Sequence, residues 1–257
     1  MDVYEYNRKA WTVQVENRNQ WTLPVCEEEI NAALSGKISI VLTPVTPVPL
    51  NWFPELKGCD VLGLASAGGQ QGPLLAAAGA HVTILDLTPA QLEQDRKVAE
   101  QFGLSLRLVE AKMEDLSAFA DKSFDLIFHP CSNMFTPDLE PVWKECSRVL
   151  RPGGILLWGF TKPESLLIIP QKDDPNDFRL RYKMPYNDFD SLTKKEQAVY
   201  TDKQEPMLFA HSWTDQIGKL LESGFQLTHF FEDDWGGKEP MDQYFKSFVA
   251  GRAVKEL

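Results

Sequence analysis

The chain has 257 residues, of which 43% are hydrophobic and 25% are charged, and these values are typical of a globular protein with a sizeable core. Its formal net charge of −11 repels phosphate backbones on average, so we expect no nucleic-acid partner. The first residues lack a signal-peptide pattern and the apolar runs are too short to cross a bilayer, which predicts a cytoplasmic protein with no membrane partner.

Residue types that commonly bind metals are scattered along the chain. The four cysteines form no C-x-x-C pair, and they are Cys26, Cys59, Cys131 and Cys146. The acidic pairs Asp173-Asp174 and Asp233-Asp234 have no histidine pattern beside them, so we interpret both as solvated acidic loops. The sequence therefore predicts no metal site.

Residues 1–50 are predicted to form a leader that acts as a lid. Helical patterns occur at 7–16 and 27–34, and three prolines within 43–49 then forbid a helix and favour an extended linker. We therefore place the boundary of the main domain after residue 50, so that this domain covers 51–257.

Short apolar runs alternate with helical patterns from residue 60 onward. Strands are predicted at 60–64, 82–85, 106–109, 124–128 and 155–158, and helices at 72–78, 89–102 and 139–150. Apolar strands separated by helices are typical of a parallel sheet covered on both faces. The pattern predicts an α/β fold of the Rossmann-like, doubly wound type.

This alternation lapses over residues 161–210, which are rich in Asp, Pro, Lys and aromatic residues, and we predict an inserted cap there. It resumes with a helix at 213–223 and two successive strands at 226–231 and 245–252. Two strands without an intervening helix predict an antiparallel strand at the end of a seven-stranded, mostly parallel sheet.

The segment between the first predicted strand and helix is rich in small residues, at Ala65, Ala67 and Gly69. Small side chains let the backbone turn sharply and approach a ligand with helix N–H groups facing it. A dinucleotide fingerprint would require a glycine where Gln70 stands, so this spacing does not favour a nicotinamide cofactor.

Asp86 ends the second predicted strand. A carboxylate at that strand end can accept hydrogen bonds from both hydroxyls of a ribose. Thr88 is the expected cap of the next helix, which leaves Asp86 available for a ligand.

Five stretches together resemble one enzyme family, and they are 61–69, 82–88, 112–116, 123–128 and 149–156. Over residues 58–160 the chain resembles the class I S-adenosylmethionine-dependent methyltransferases, in particular the small-molecule, type 11-like group. The resemblance implies S-adenosylmethionine as the cofactor and a small-molecule methyl acceptor.

The resemblance also implies which residues contact the cofactor. These are Trp11, Gly63, Ala65, Ser66, Gly69, Gln70, Asp86, Leu87, Met113, Glu114, His129 and Pro130. Within this set, Asp86 would bind the ribose, and Met113 and Glu114 would flank the adenine. Trp11 resembles a lid contact, whereas most other aromatic residues of the leader and insertion are expected to form core.

Two features depart from the family pattern. The family often has an acidic residue where Gly63 stands, and glycines where Ala65 and Ala67 stand. Because a Cβ atom disfavours left-handed backbone, we expect negative φ at both alanines.

His129 is the candidate catalytic base, since it ends the fourth predicted strand and an imidazole titrates near neutral pH. A structural histidine bonded to a loop carbonyl is the other interpretation. His211 is expected to be a capping or packing residue.

Other functions remain open at this point. A protein that binds the cofactor or its demethylated product without catalysis is one, because Gly63 replaces an acidic residue and no base is obvious. An NAD(P)-dependent oxidoreductase and an aminopropyl transferase are less favoured by the motifs.

Overall fold

The computed structural model describes residues 2–171, 174 and 176–257, so Asp173 of the predicted acidic pair lies outside the described residues. The strands are β1 Asp60–Leu64, β2 His81–Asp86, β3 Leu106–Glu110, β4 Phe124–His129, β5 Leu150–Thr161, β6 Ile168–Pro170, β7 Phe178–Leu180, β8 Tyr186–Asn187, β9 Phe209–Ala210, β10 Phe225–Asp233 and β11 Phe248–Lys255. The α-helices are α1 Val3–Glu16, α2 Glu27–Leu34, α3 Gln71–Ala77, α4 Pro89–Phe102, α5 Glu140–Val149, α6 Pro163–Leu167, α7 Asp188–Ser191, α8 Lys194–Lys203 and α9 Lys219–Glu222, the last preceded by a π-helical turn, Thr214–Gly218.

A seven-stranded sheet forms the centre of the protein, in the order β10-β11-β5-β4-β1-β2-β3. Strands β1 to β5 pair in parallel, with Gly63 opposite Ile84 in β2 and opposite Phe128 in β4. Strand β11 runs antiparallel to both β5 and β10. The predicted Rossmann-like fold with a C-terminal antiparallel strand is confirmed.

The two faces of the sheet are buried in two apolar clusters. In β1, Val61 belongs to one cluster, whereas Leu62 and Leu64 belong to the other. Successive side chains of a strand point to opposite faces, so a run of apolar residues supplies both layers. This explains why the central strands are continuous apolar runs in the sequence.

Helix α4 shows how local signals define an element. Pro89 occupies its first turn, where a missing N–H costs nothing, and Gly103 ends it with φ of 64°. Thr88 is the N-cap residue, as expected, but its side chain makes no capping hydrogen bond. Instead the Thr88 N–H donates to Oδ1 of Asp86 at 2.9 Å, so Asp86 orders this helix start.

The leader packs on the same core as the sheet, because Ile30 and Ala33 of α2 join the cluster that contains Val61. The segment 161–210 contains short regular elements, α6 to α8 and β6 to β9, which its irregular pattern did not predict. The division into a leader, a main domain and an inserted cap stays a prediction.

Within the described part of the chain, none of the helices has the length and apolarity needed to cross a membrane. The same residues contain no group of three or more His, Cys, Asp or Glu side chains suited to hold a metal ion.

One interpretation from the sequence is wrong, since Asp233 is only 2% exposed and is not part of a solvated loop.

Candidate active site

A cavity of about 480 Å³ lies at the carboxyl ends of β1 to β5. Parallel strands of α/β sheets place their ligand sites at this edge. We call the part near the ends of β1 to β3 the β2 side, and its lining includes Tyr4, Asn7, Arg8, Trp11, Ala65, Ser66, Ala67, Asp86, Leu87, Gln91, Lys112, Met113 and Glu114. We call the part near β5 and β11 the β5 side, and its lining includes Trp21, Val41, Leu42, Thr43, Pro44, Cys131, Thr161, Ser165, Leu166, Trp235, Glu239, Met241, Ser247 and Phe248.

The turn after β1 is unusually tight. Ala65 has φ of +47°, a left-handed conformation that L side chains rarely adopt, so the expectation of negative φ is wrong at this position. The Ala65 N–H donates to the Leu85 carbonyl at 2.8 Å, which ties the turn to β2. Ala67 lies outside the left-handed region, as expected.

Gly63 and Ser66 depend on each other sterically. A Cβ atom at position 63 would lie 2.4 Å from Ser66 Oγ and 2.5 Å from a methyl group of Ile84. An acidic side chain at this position therefore does not fit unless both Ser66 and Ile84 move. Ser66 Oγ is buried and has no partner within the protein. A buried polar atom without a partner is available to a ligand or to water.

Asp86 lies at the end of β2 and lines the cavity. Its carboxylate accepts hydrogen bonds from the N–H groups of Thr88 at 2.9 Å and Ala67 at 3.4 Å. Desolvation by burial raises its pKa to about 6, while these backbone donors act in the opposite direction. The group is thus held in place by the protein and can still accept further hydrogen bonds.

A second carboxylate supports the same turn from below. Asp95 of α4 is fully buried, and its Oδ2 accepts a hydrogen bond of 2.8 Å from the Gly68 N–H. Its Oδ1 has no partner. Desolvation by burial, with a smaller contribution from the charge of Asp86, raises the pKa of Asp95 to about 7. The protein therefore provides an acidic residue beneath this turn, although not at position 63.

His129 does not face the cavity. Its side chain is fully buried, with Nδ1 at 2.8 Å from the Leu64 carbonyl and Nε2 at 2.6 Å from Oδ1 of Asn133. Desolvation by burial lowers its pKa. Both ring nitrogens are engaged and neither reaches the cavity, so we correct its assignment from catalytic base to structural residue. His211 is also structural, because its Nε2 contacts the carbonyls of Asn133 and Thr136.

Helix α1 forms the roof of the β2 side. Trp11 packs edge-on against Phe135, with ring centroids 5.2 Å apart. The Asn7 amide makes two hydrogen bonds to the backbone of Met207, at 3.0 and 2.9 Å. The Lys112 ammonium lies 3.6 Å from the centroid of the Tyr4 ring. The roof is therefore fixed both to the sheet and to the segment that follows α8.

The segment between α1 and α2 covers the turn from outside. Gln70 donates its side-chain N–H groups to the carbonyls of Gln20 and Leu23 at 3.1 and 2.9 Å. The Val25 N–H donates to the Gly69 carbonyl at 2.9 Å. A Cβ atom at Gly69 would lie 3.1 Å from Pro24 of the leader and 3.1 Å from atoms of Gln94 and Val98 in α4, so this glycine faces these two segments and not the cavity.

The wall on the β5 side is held by a buried carboxylate. Asp233 accepts hydrogen bonds from the hydroxyl of Thr43 at 2.8 Å, from the N–H of Val45 at 2.9 Å, and from both the N–H and the hydroxyl of Thr46, at 3.0 and 2.6 Å. These donors lower its pKa against the opposing effect of burial. The proline-rich linker is thus a fixed turn that forms part of the cavity.

Nine of the twelve residues predicted to contact the cofactor line this cavity. They are Trp11, Ala65, Ser66, Gln70, Asp86, Leu87, Met113, Glu114 and Pro130. Gly63, Gly69 and His129 lie outside the lining, for the steric and hydrogen-bonding reasons given above. Contact of the nine with the cofactor stays a prediction.

Three further residues were not predicted from the sequence. Gln91 and Asp95 lie four positions apart in α4, so both face the turn after β1, and this spacing was a usable signal. Trp235 joins the cavity from the loop after β10, where its ring lies 6.0 Å from that of Trp21. No local pattern indicates a contact between residues so distant in sequence.

The chain resembles known proteins in sequence and in fold. Residues 62–158 match the family model described as "Methyltransferase domain". The uncharacterized methyltransferase YbaJ of Bacillus subtilis (strain 168) is 44% identical over 250 residues, which cover 97% of each chain.

Two solved structures share the fold at low sequence identity. A S-adenosylmethionine-dependent methyltransferase from Mesorhizobium loti is 17% identical with a TM-score of 0.61, and a putative one from Listeria monocytogenes is 15% identical with a TM-score of 0.63. Each match covers 80% of this chain and 94% of the other. From the matched family model, the near full-length relative and the fold, the chain belongs to the class I S-adenosylmethionine-dependent methyltransferases, for which S-adenosylmethionine is the expected cofactor.

Proposed function

We propose that the protein transfers a methyl group from S-adenosylmethionine to a small-molecule acceptor by in-line displacement. The observation that supports this most is the continuity of the cavity, which extends from the strand ends near Asp86 to an apolar region near β5. A donor on the β2 side and an acceptor on the β5 side would share one continuous cavity.

The residues on the β2 side fit the cofactor chemically. Asp86 has acceptor capacity for the two ribose hydroxyls, and Ser66 offers a buried hydroxyl without a partner. Met113 and Glu114 lie at the end of β3, where they would flank the adenine. Trp11 would cover the bound molecule from the roof.

The bound cofactor supplies a methyl group on a positively charged sulfonium, so the group is already activated for transfer. The protein then has to align the acceptor and exclude water. The rings of Trp21 and Trp235 lie 6.0 Å apart in the lining of the β5 side, and α1 lines the β2 side. Walls on both sides of the cavity suit a displacement that needs alignment more than acid–base chemistry.

No side-chain base is assigned to the reaction. Among the described residues, the lining of the β5 side contains no imidazole, lysine or tyrosine, and its carboxylate, Glu239, is exposed to water. A general base is required only when the acceptor must lose a proton during transfer. This arrangement suits an acceptor that reacts without proton transfer to the protein.

A small molecule is the favoured class of acceptor for two reasons. The net charge of −11 disfavours nucleic acid. The cavity volume lies within the range typical of sites for small ligands.

The test is isothermal titration of the purified protein with S-adenosylmethionine, S-adenosylhomocysteine and NADH. We expect micromolar binding of the two sulfur compounds and none of NADH. Absence of binding by both sulfur compounds would contradict the proposal, and binding of NADH would favour an oxidoreductase.

The second candidate is a protein that binds the cofactor without catalysis. Gly63 and the burial of His129 favour it, since neither offers a functional group to the cavity. A panel of acceptors incubated with labelled S-adenosylmethionine separates the two, because methyl transfer to any acceptor excludes the non-catalytic role.

A further inference from the structure

The β5 side of the cavity has a mostly apolar wall. Its large apolar side chains are Trp21, Leu42, Leu166, Trp235, Met241 and Phe248. The ring of Trp235 packs edge-on against Phe248 with centroids 4.9 Å apart, and it also faces Trp21. The aromatic part of the wall is therefore continuous from the leader to β11.

Two hydroxyls of this wall are engaged within the protein, whereas Thr161 Oγ1 is buried and has no partner. The Thr43 hydroxyl donates to Asp233 at 2.8 Å, and the Ser165 hydroxyl donates to the Ser247 carbonyl at 3.3 Å. Burial raises the pKa of the Cys131 thiol, so this group stays neutral. Few polar groups remain to recognise a charged ligand.

The charged residues of the cavity lining lie on the β2 side or are exposed to water. Arg8, on the β2 side, pairs with Glu5 at 3.3 Å and Glu110 at 3.7 Å. Lys112, also on the β2 side, lies over the Tyr4 ring. Glu239 is the charged residue of the β5 lining among the residues that the structure describes, and it is exposed.

An ion that enters an apolar region loses its hydration, and binding is favourable only if an opposite charge or several hydrogen bonds replace that water. Among the residues that the structure describes, the β5 side offers no cation to an anionic group. For a cationic group, Asp233 is already engaged by donors from Thr43, Val45 and Thr46, and Glu239 is exposed to water, where its charge is screened.

We propose that the methyl acceptor is an uncharged, mostly apolar small molecule, which occupies the β5 side with its apolar body against Trp235 and Phe248. This proposal rests on the proposed methyltransferase function, because it assigns the β2 side to the cofactor. It excludes carboxylates, phosphates and ammonium compounds as preferred acceptors.

The experiment compares three ligands with one ring system and different charge: naphthalenemethanol, naphthoate and naphthylmethylammonium. Each is titrated into the full-length protein saturated with S-adenosylhomocysteine, and tryptophan fluorescence reports binding near Trp21 and Trp235. We expect naphthalenemethanol to bind at least about tenfold more tightly than either ion. Equal or tighter binding of an ion, or binding of none of the three, overturns the proposal.

A charge variant makes the test specific to this wall. Leu166→Lys places an ammonium group on the β5 side, and we expect it to increase naphthoate affinity by at least about tenfold. Leu221→Lys adds the same charge at an exposed position of α9 and should leave all three affinities unchanged. Met241→Lys serves as a second variant if Leu166→Lys does not fold. A properly folded variant at either position that does not gain naphthoate affinity overturns the proposal.

The acceptor proposal can fail without failure of the proposed function, because the two are tested by different measurements. Binding of S-adenosylhomocysteine is measured first and tests the cofactor assignment alone. If it binds and the neutral ligand shows no preference, only the acceptor proposal fails. If it does not bind, the proposed function fails, and the three ligands are compared on the protein without it.

Discussion

Oδ2 of Asp95 accepts a hydrogen bond of 2.8 Å from the backbone N–H of Gly68, while its Oδ1 has no partner. A buried carboxylate with one free oxygen is an unusual support for a ligand-binding turn, because its ionised form is poorly solvated. The raised pKa of Asp95, about 7, means that this support titrates near neutral pH.

The first prediction concerns stability and Asp95→Asn. The folded pKa of Asp95 lies above its unfolded value of 3.8, so the folded state binds the proton more tightly and loses stability as pH rises from about 4 to about 7. Asn keeps an acceptor for Gly68 but cannot ionise. We expect the variant to gain about 2.5 kcal/mol relative to the wild type between pH 5 and pH 8. Urea unfolding of both proteins at pH 5 and pH 8 measures this gain. An equal change in the free energy of unfolding for the two proteins between these pH values would contradict the prediction.

The second prediction concerns cofactor binding and Asp86. Ribose hydroxyls favour the ionised carboxylate, whose pKa is raised to about 6 in the free protein. Affinity for S-adenosylhomocysteine should therefore weaken as pH falls below about 6, up to tenfold per pH unit.

The variant Asp86→Asn tests this assignment. It should bind S-adenosylhomocysteine about 1–3 kcal/mol more weakly at pH 8 and lose the pH dependence. Asp202→Asn, on the exposed surface of α8, is the matched control and should behave as the wild type. Unchanged affinity in Asp86→Asn would show that the ribose assignment is wrong.

The third prediction uses the two alanines of the turn. Ala65 has φ of +47°, so Ala65→Gly should relieve strain and leave stability unchanged or raised by about 1 kcal/mol, after the entropy cost of glycine. Ala67 has no such strain, so Ala67→Gly should destabilise by about 0.5–1 kcal/mol. Thermal unfolding of both variants gives the comparison, and a larger loss for Ala65→Gly than for Ala67→Gly would refute the strain argument.

The fourth prediction separates structure from catalysis at His129. Its ring connects the Leu64 carbonyl with Asn133, so His129→Leu should destabilise the fold by about 1–3 kcal/mol through unpaired buried groups. Affinity for S-adenosylhomocysteine in the folded protein should change less than about twofold. Calorimetric unfolding and isothermal titration measure the two effects. A large loss of affinity in a stable variant would show that His129 contributes to cofactor binding.

Much of the central fold was predictable because its signals are local. The predicted bounds of β1, α2 and α4 coincide with those in the structure, since apolar runs, periodic helices, Pro89 and Gly103 specify them directly. The insertion was not predictable in the same way. Its strands β8 and β9 are two residues each and exist by pairing with one another across about twenty residues of chain.

The candidate site was predictable where the fold itself places residues. Asp86 was expected because the ends of parallel strands share one edge of the sheet, whereas Met113 and Pro130 were expected from the resemblance to the family. The roles of Gly69 and Trp235 depend on packing between distant segments, the leader in one case and β11 in the other. Such contacts leave no period or motif in a single sequence.

The pairing of Asn7 with Met207 joins positions 200 residues apart in the chain. During synthesis Asn7 emerges first, and its backbone partner is made only after the strands from β1 to β5 and the helix α8. The strands from β1 to β5 are therefore synthesised before α1 can be anchored above their ends. Anchoring of α1 by this pair is consequently a late event in the folding of the nascent chain.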